Sequence, residues 1–523
     1  MSALTRSVPL GATLTAAALS ALLGACAVSP DYHRPDVATP ADWKTDGYWK
    51  LAQPSHAALQ PDWWKAFREP TLDALETQAL AQNQTLAAAL AHYDQAQATL
   101  SGVSAQRLPE VDASFGLARQ RISANRPVTS YSSASMSTVQ NNVQLGLGVS
   151  YDTDLFGRIR RQVEGAQASA EQARDDLANA RLILTTQLAT AYFQLREVDA
   201  EIKVLDQSVA LQQKALDYVS AQHDLGAVSG LDVLQQQSQL DTTRVQARLL
   251  HQQRDQYEHA IAALVGVPAP AFTVAPGPLP GVLPPIPLGV PSDLLQRRPD
   301  VASAERSMAA ANAQIGVAKA AFFPSLTLNP GIGWQSTEFA SLLSAPSLLW
   351  TLGTVASQVV FDGGRRQANV DFASAGYRGV EANYRQTVLT AFQQVQDGVT
   401  GLSVLDAAAR ESRAAVGDAE RLLGLANDRY SGGLTAYLSV ITAQQAALAS
   451  ERQDVQIRGQ QLVLSVALVK ALGGGWQPSE TSTPSASAAS SASPASPARS
   501  VAPVAPVAVV PDGASADSYN AQR

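Results

Sequence analysis

No proline interrupts the chain from Gly157 to Gln222, a run of 66 residues. Within it, apolar or small residues return at Leu188, Ala191, Leu195, Val198, Ile202, Leu205 and Val209. Steps that alternate between three and four form the seam of a left-handed coiled coil. At 1.5 Å per residue, one helix over this run is about 100 Å long, far beyond an ordinary globular helix. A companion helix over about 230–265, turning back after Gly226, reaches roughly half that distance. Later in the chain Val388, Phe392, Val395, Val399 and Leu402 repeat the pattern. The other faces are rich in Ala, Gln, Ser and Thr and carry little charge. Such a helix can wall an aqueous channel or stand in a plain solvated coiled coil, and periodicity alone does not separate the two.

The chain also carries two copies of one plan. Residues 191–206 (AYFQLREVDAEIKVLD) resemble 391–406 (AFQQVQDGVTGLSVLD) at an offset of 200. Residues 222–239 resemble 429–446 at an offset of 207, which superposes Gly226 on Gly433 and Gly266 on Gly473. The difference implies a duplication with one heptad inserted in the second copy, between Asp406 and Gly433. A heptad lengthens a coiled coil without rotating its seam.

Before each long helix the period changes to two. In VQLGLGVSY (143–151), Val143, Leu145, Leu147, Val149 and Tyr151 share one side, with Gln144, Gly146, Gly148 and Ser150 on the other. VDASFGLARQ (111–120) alternates through Val111, Ala113, Phe115 and Leu117. The second copy offers SLTLNPGIGW (325–334) and, less cleanly, 349–361, and Pro330 weakens the first of these as a strand. The hairpins therefore fall at about 111–152 and 325–361. Strands of about 10 residues, apolar on one face, suit a tilted crossing of an outer membrane. Tyr151, Trp334 and Trp350 fit its interfacial belts. A surface hairpin on a soluble domain is the competing reading. Open sheet edges are not tolerated in lipid, so four strands must be shared among chains. Three chains give twelve.

Cys26 is the only cysteine, which excludes an internal disulfide and the usual thiolate metal frameworks. Residues 8–25 form an uncharged, apolar or small run behind Arg6, an h-region of secretory length. Leu23-Gly24-Ala25-Cys26 resembles the lipobox of bacterial lipoproteins, in which the cysteine is acylated and becomes the first mature residue. Ala27, not aspartate, follows it, which in that family favours the outer membrane. Loss of 1–25 takes the formal charge from −7 to −8, since Arg6 is the one charge removed. With 16% charged residues and an acidic balance, nothing suggests nucleic-acid binding. Six scattered histidines, and no HExxH, GxSxG or P-loop, leave no constellation for an enzyme, a metal site or a cofactor. The plan reads as signal peptide 1–25, strap 26–70, first repeat 71–267, Pro-rich linker 268–292, second repeat 293–476 and a tail 477–523 without periodicity. The first repeat opens with one helix over about 71–107. The tryptophans at 43, 49, 63 and 64 are packing anchors.

SDLLQRRPDVASAERSMAAANAQIGVAKAAFFPSLTL (292–328) is similar to the signature of the outer membrane factor (TolC-like) family. LVKALGGGW (468–476) and SPDYHRPDV (29–37) resemble its lipoprotein efflux branch. In the signature, Pro299 suits a first helical turn, Asp300 and Glu305 the positive helix start, and Pro324 the stop before a strand. The resemblance implies an α+β membrane protein. A trimeric, twelve-stranded outer-membrane barrel, four strands per chain, would continue into a long periplasmic helical barrel whose end opens like an iris. It implies a passive duct fed by a periplasmic adaptor and an inner-membrane pump, the RND type being expected. On this chain the adaptor-contacting tips would be Leu225, Gly226, Ala227, Val228 and Ser229, with Gly432, Gly433, Leu434 and Thr435. The family's acidic aperture positions match Ser439 and Thr442, neither of which is acidic. Asp232 is the carboxylate left near the mouth, and Tyr430 matches an aromatic near the closing contacts. Export of a protein by a secretion system, or a structural coiled-coil envelope lipoprotein without sheet or conductance, are the competing functions.

Overall fold

A computed structural model describes residues 31–36, 39–40, 43–44, 61–123, 138–281, 283–284, 286, 288 and 297–476. Cys26, Trp49 and the 477–523 tail lie outside the described residues. In chain order the elements are α1 (Pro70–Gln82), α2 (Gln84–Ala105), β1 (Glu110–Ile122), β2 (Thr138–Asp152), α3 (Arg158–Asp224) and α4 (Gly230–Val265). The second copy follows with α5 (Pro299–Ala320), β3 (Ser325–Ser336), β4 (Leu348–Ser357), α6 (Arg365–Ser431) and α7 (Leu438–Ala471). No described helix is long and apolar enough to cross a membrane.

The long helices α3 and α6 each run 67 residues, and their starts and ends both differ by 207. No heptad is inserted. At that offset the buried positions Leu188, Ala191, Tyr192, Leu195, Ile202, Leu205, Gln212 and Val219 fall on Val395, Gly398, Val399, Leu402, Ala409, Ser412, Ala419 and Ala426, all buried. The offset of 200 was an alias. A heptad seam resembles itself when shifted by seven, so sequence likeness there does not fix the register. Three left-handed glycine pairs do: Gly157 and Gly364 before the long helices, Gly226 and Gly433 at the turns, and Gly266 and Gly473 after the return helices.

The expected single helix over 71–107 is two helices. Asn83 breaks it, extended at φ −66, ψ 125. Its side chain accepts from the Leu86 N–H (2.9 Å) and donates to the Leu264 carbonyl (2.8 Å). An asparagine that caps one helix and satisfies another's end favours the break over continuity.

The sheet is antiparallel in the order β1-β2-β3-β4. Its register stacks Phe115, Leu145, Trp334 and Leu348 across one face, and Ala113, Leu147, Ile332 and Trp350 beside them. The opposite face carries Ser114, Gly146 and Gly333 in line. Pro330 is in a central strand, not an edge. It pairs with Leu352 on β4, while the β2–β3 ladder opens between Gly148–Gly331 and Tyr151–Leu328, where proline has no N–H to give. β1 and β4 are left as free edges.

The core gathers where the helices meet. Trp63, Trp64 and Phe67 are buried against α1 and α3, with Phe67 and Phe193 ring centroids 4.8 Å apart. The Pro-rich linker has no ladder for its backbone, so buried charges serve it. Glu258 accepts from Val274 N–H (2.6 Å), Arg196 donates to Ala275 C=O (2.8 Å), and Asp199 accepts from Gly277 N–H (3.0 Å).

Candidate functional site

The two helical hairpins reverse by the same device. Gly226 N–H and Ala227 N–H donate back to His223 and Gln222 carbonyls (2.8 and 2.9 Å). Gly433 and Leu434 do the same to Tyr430 and Arg429 (2.9 and 2.8 Å). Both are Schellman turns, with glycine at φ 74 and 70 where a Cβ is disfavoured. Leu225 is 85% and Leu434 72% exposed, so each turn presents an apolar side chain at its apex. Ala227, Ser229 and Gly432 are exposed with them, while Val228 and Thr435 are half-buried.

Behind the turns the helices begin differently. Asp232 accepts from the Ser229 N–H (3.3 Å) and hydroxyl (3.0 Å), as in a capping box. Its carboxylate is thus engaged in starting α4. The 207 offset puts Ala436 and Ser439 in those places, and the Ser439 hydroxyl instead meets Thr435 at 2.9 Å. Thr442 donates to its own helix, to Leu438 C=O at 2.9 Å. Ser439 and Thr442 therefore bring no charge to the start of α7.

Tyr430 does join the hairpins. Its hydroxyl donates to Gln222 on α3 at 3.2 Å, and its ring lies 4.9 Å from Tyr437. Tyr437, which the sequence reading passed over, is the deeper link. It is 4% exposed and donates to Gln236 of α4 at 2.9 Å, and Gln236 in turn donates to the Gln212 carbonyl of α3 at 2.9 Å. Burial pushes the Tyr437 hydroxyl up to about 12, and Tyr430 and Asp232 push the same way. Tyr430 is raised as well, by burial, then Asp232 and Tyr218. Both stay protonated donors at neutral pH. Tyr437 stands immediately before α7, across the Gly433 turn from Tyr430.

The clasp continues along the hairpins. Gln445 donates to Gln239 (2.5 Å), and Arg452 donates to Glu201 through two nitrogens (3.1 and 3.0 Å). One turn away, Glu197 of α3 packs on Gly459 of α7, where any Cβ would collide with its carboxylate. Burial, and then the charge of Glu201, push Glu197 up to about 7. The packed state therefore favours the neutral acid. Its contribution is full below the ordinary carboxyl value of 4.5 and is lost as pH rises through about 7. The difference in thermal midpoint between the wild type and Glu197→Gln should change across that window. A difference that stays constant from pH 4.5 to 8 would count against this.

The family described as outer membrane efflux protein matches residues 75–267 and 290–474, both copies of the plan. The chain belongs to that family. The pyoverdine export outer membrane protein OpmQ of Pseudomonas aeruginosa is 32% identical over 457 residues, covering 87% of this chain and 95% of its own. The toluene efflux pump outer membrane protein TtgF of Pseudomonas putida is 31% identical over 465 residues, covering 88% and 96%. Among solved structures, the outer-membrane channel OprN superposes with a TM-score of 0.80 at 30% identity, over 87% of this chain and all of that one. The open state of the Neisseria gonorrhoeae MtrE outer membrane channel gives 0.75 at 25%, over 86% and 98%. This efflux protein is thus an outer-membrane duct. Four strands from each of three chains complete a twelve-stranded barrel, and the long helices continue it into the periplasm. The free edges of β1 and β4 are the seams. The coiled-coil lipoprotein alternative, which requires no sheet, is excluded by the four strands.

Proposed function

We propose that this duct is the outer-membrane member of a tripartite efflux assembly, carrying drugs or other small molecules. In this reading the turns 225–229 and 432–435 dock a periplasmic adaptor. The helix ends behind them, with Asp232, Tyr430, Ser439 and Thr442, line the aperture, and an RND-type inner-membrane pump supplies the driving force. Acylated Cys26 anchors each chain in the outer membrane, with the strap 26–70 outside the repeats. The observation that carries the reading is the pair of like-built turns, each holding a leucine out to solvent. An apolar side chain at a rigid apex suits insertion into a partner's groove. Leu225→Asp with Leu434→Asp should abolish efflux-dependent resistance while heat-stable trimers persist. A photo-crosslinker at Ala227 should capture a periplasmic protein in the wild-type background only. Full resistance in the double variant would overturn the docking assignment. Mass spectrometry of the mature N-terminus tests the anchor, and an unmodified Cys26 would remove it.

A further inference from the structure

Each chain passes between helix and strand four times, and a cation stands at every passage. Arg107 follows α2, Arg160 lies in the first turn of α3, Lys319 in the last turn of α5, and Arg365 opens α6. Register holds these passages at one height: Glu110 pairs with Ser150, Tyr151 with Leu328, and Ser325 with Ser357. Because the strands cross the membrane and the helices hang below it, that height is the periplasmic surface of the bilayer.

None of the four side chains has an ion pair or hydrogen bond among the described residues, although their neighbours do. Arg158 pairs with Asp152 (2.7 Å), Arg161 with Asp31 and Glu164 (3.0 and 2.7 Å), and Arg366 with Asp362 (2.7 Å). Asp154 is engaged with the Ile159 and Arg160 backbone N–H groups (2.7 and 2.8 Å). Glu110 and Asp112, the nearby acids at the start of β1, fall on the sheet face of Ser114 and Gly148, opposite the apolar one. Arg107 and Lys319 suit the helix ends they follow, but Arg160 and Arg365 sit at helix starts, which the backbone dipole makes unfavourable for cations. An external anion relieves that conflict. Between these helix ends and the strands, Val360 is 92% and Phe361 88% exposed, and Phe322 and Phe323 are about two-fifths exposed, so apolar side chains stand on the membrane side of Lys319 and Arg365.

We propose that this rim binds the anionic headgroups of phospholipids in the periplasmic leaflet, with Arg107, Arg160, Lys319 and Arg365 facing the lipid phosphates. Three chains set twelve such cations around the barrel. Guanidinium and phosphate match in geometry, and clustered cations at a bilayer surface select acidic lipids. Recognition is continuous with the membrane-spanning face and needs no pocket. It also fixes the height of the duct independently of the lipid anchor.

The test uses the full trimer in neutral detergent, mixed with equal amounts of phosphatidylglycerol and phosphatidylcholine of the same acyl chains. Lipid retained after repurification is measured by mass spectrometry. Wild type should retain phosphatidylglycerol at least about fivefold over phosphatidylcholine at low salt, the effect expected of even one interfacial cation. The preference should fall toward parity in R107Q/R160Q/K319Q/R365Q, while R160K/R365K keeps it. Parity in the wild type, or an unchanged preference in the quadruple glutamine variant, overturns the proposal. Should that variant fail to form trimers, R160Q/R365Q and a salt titration of the wild type decide. A preference insensitive to both would overturn it equally.

Discussion

Replacing Tyr430 and Tyr437 together by phenylalanine should raise the single-channel conductance of the reconstituted trimer several-fold. Each chain loses two hydrogen bonds between its hairpins, to Gln222 at 3.2 Å and to Gln236 at 2.9 Å. The phenyl rings keep the stacking contact and nearly all the packed volume, so the change isolates the hydroxyls. At about 1 kcal/mol per bond, two bonds in each of three chains amount to about 6 kcal/mol. About 5.5 kcal/mol is enough to carry a two-state equilibrium from 1:99 to 99:1. Tyr437→Phe should account for most of the rise, because it strands Gln236, which is fully buried. Gln236→Leu should reproduce it. Arg452 and Glu201 stay joined above, so the hairpins part only toward the tips. Conductance equal to the wild type in the double variant, with trimers intact, would show that the tyrosines do not hold the mouth.

The architecture was legible because its signals are long and redundant. A seam from Leu188 to Val209 without a breaker admits little but a long helix. Strict alternation from Val143 to Tyr151 admits little but a strand with one apolar face. The failures share a physical cause: each depended on which partner stands opposite. The 200 offset matched one heptad against the next, and the left-handed glycine pairs, fixed by backbone conformation, settle the register at 207. The helix expected over about 71–107 breaks at Asn83, whose side chain meets the Leu264 carbonyl of another helix. Pro330 weakened its strand in the sequence, yet the strand forms and the ladder simply opens beside the proline. At the tips, sequence placed the turns but not the clasp. Asp232 stood out as the charge near the mouth, although its carboxylate is engaged with Ser229. Tyr437 was hidden because it stands in the turn just before α7, outside the seam of either helix, and only the fold brings Gln236 opposite it.

Arg298→Met should remove about 3–5 kcal/mol of stability, the largest loss expected from a single side chain here. Arg298 lies in the signature run and is 5% exposed. Its Nε and one terminal nitrogen donate to both oxygens of Asp300 (2.9 and 2.6 Å). The other terminal nitrogen donates to Gln394 of α6 (2.9 Å) and to the Ala471 carbonyl at the end of α7 (3.0 Å). One guanidinium thus joins the start of α5 to two helices of the second hairpin. Methionine fills the volume but leaves the half-buried Asp300 carboxylate with only the Val301 N–H as donor (2.9 Å), and strips the Ala471 carbonyl of its Arg298 donor. Lysine carries the charge yet cannot present a planar fork to three acceptors, so Arg298→Lys should recover little. The same junction needs Gly473, whose φ of 90 and contact with the Arg297 carbonyl leave no room for a Cβ. Gly473→Ala should therefore destabilise independently of the charge. Both variants should lose heat-stable trimers before they lose helix signal in circular dichroism. A melting midpoint for Arg298→Met within a few degrees of the wild type would show that the fork is replaceable.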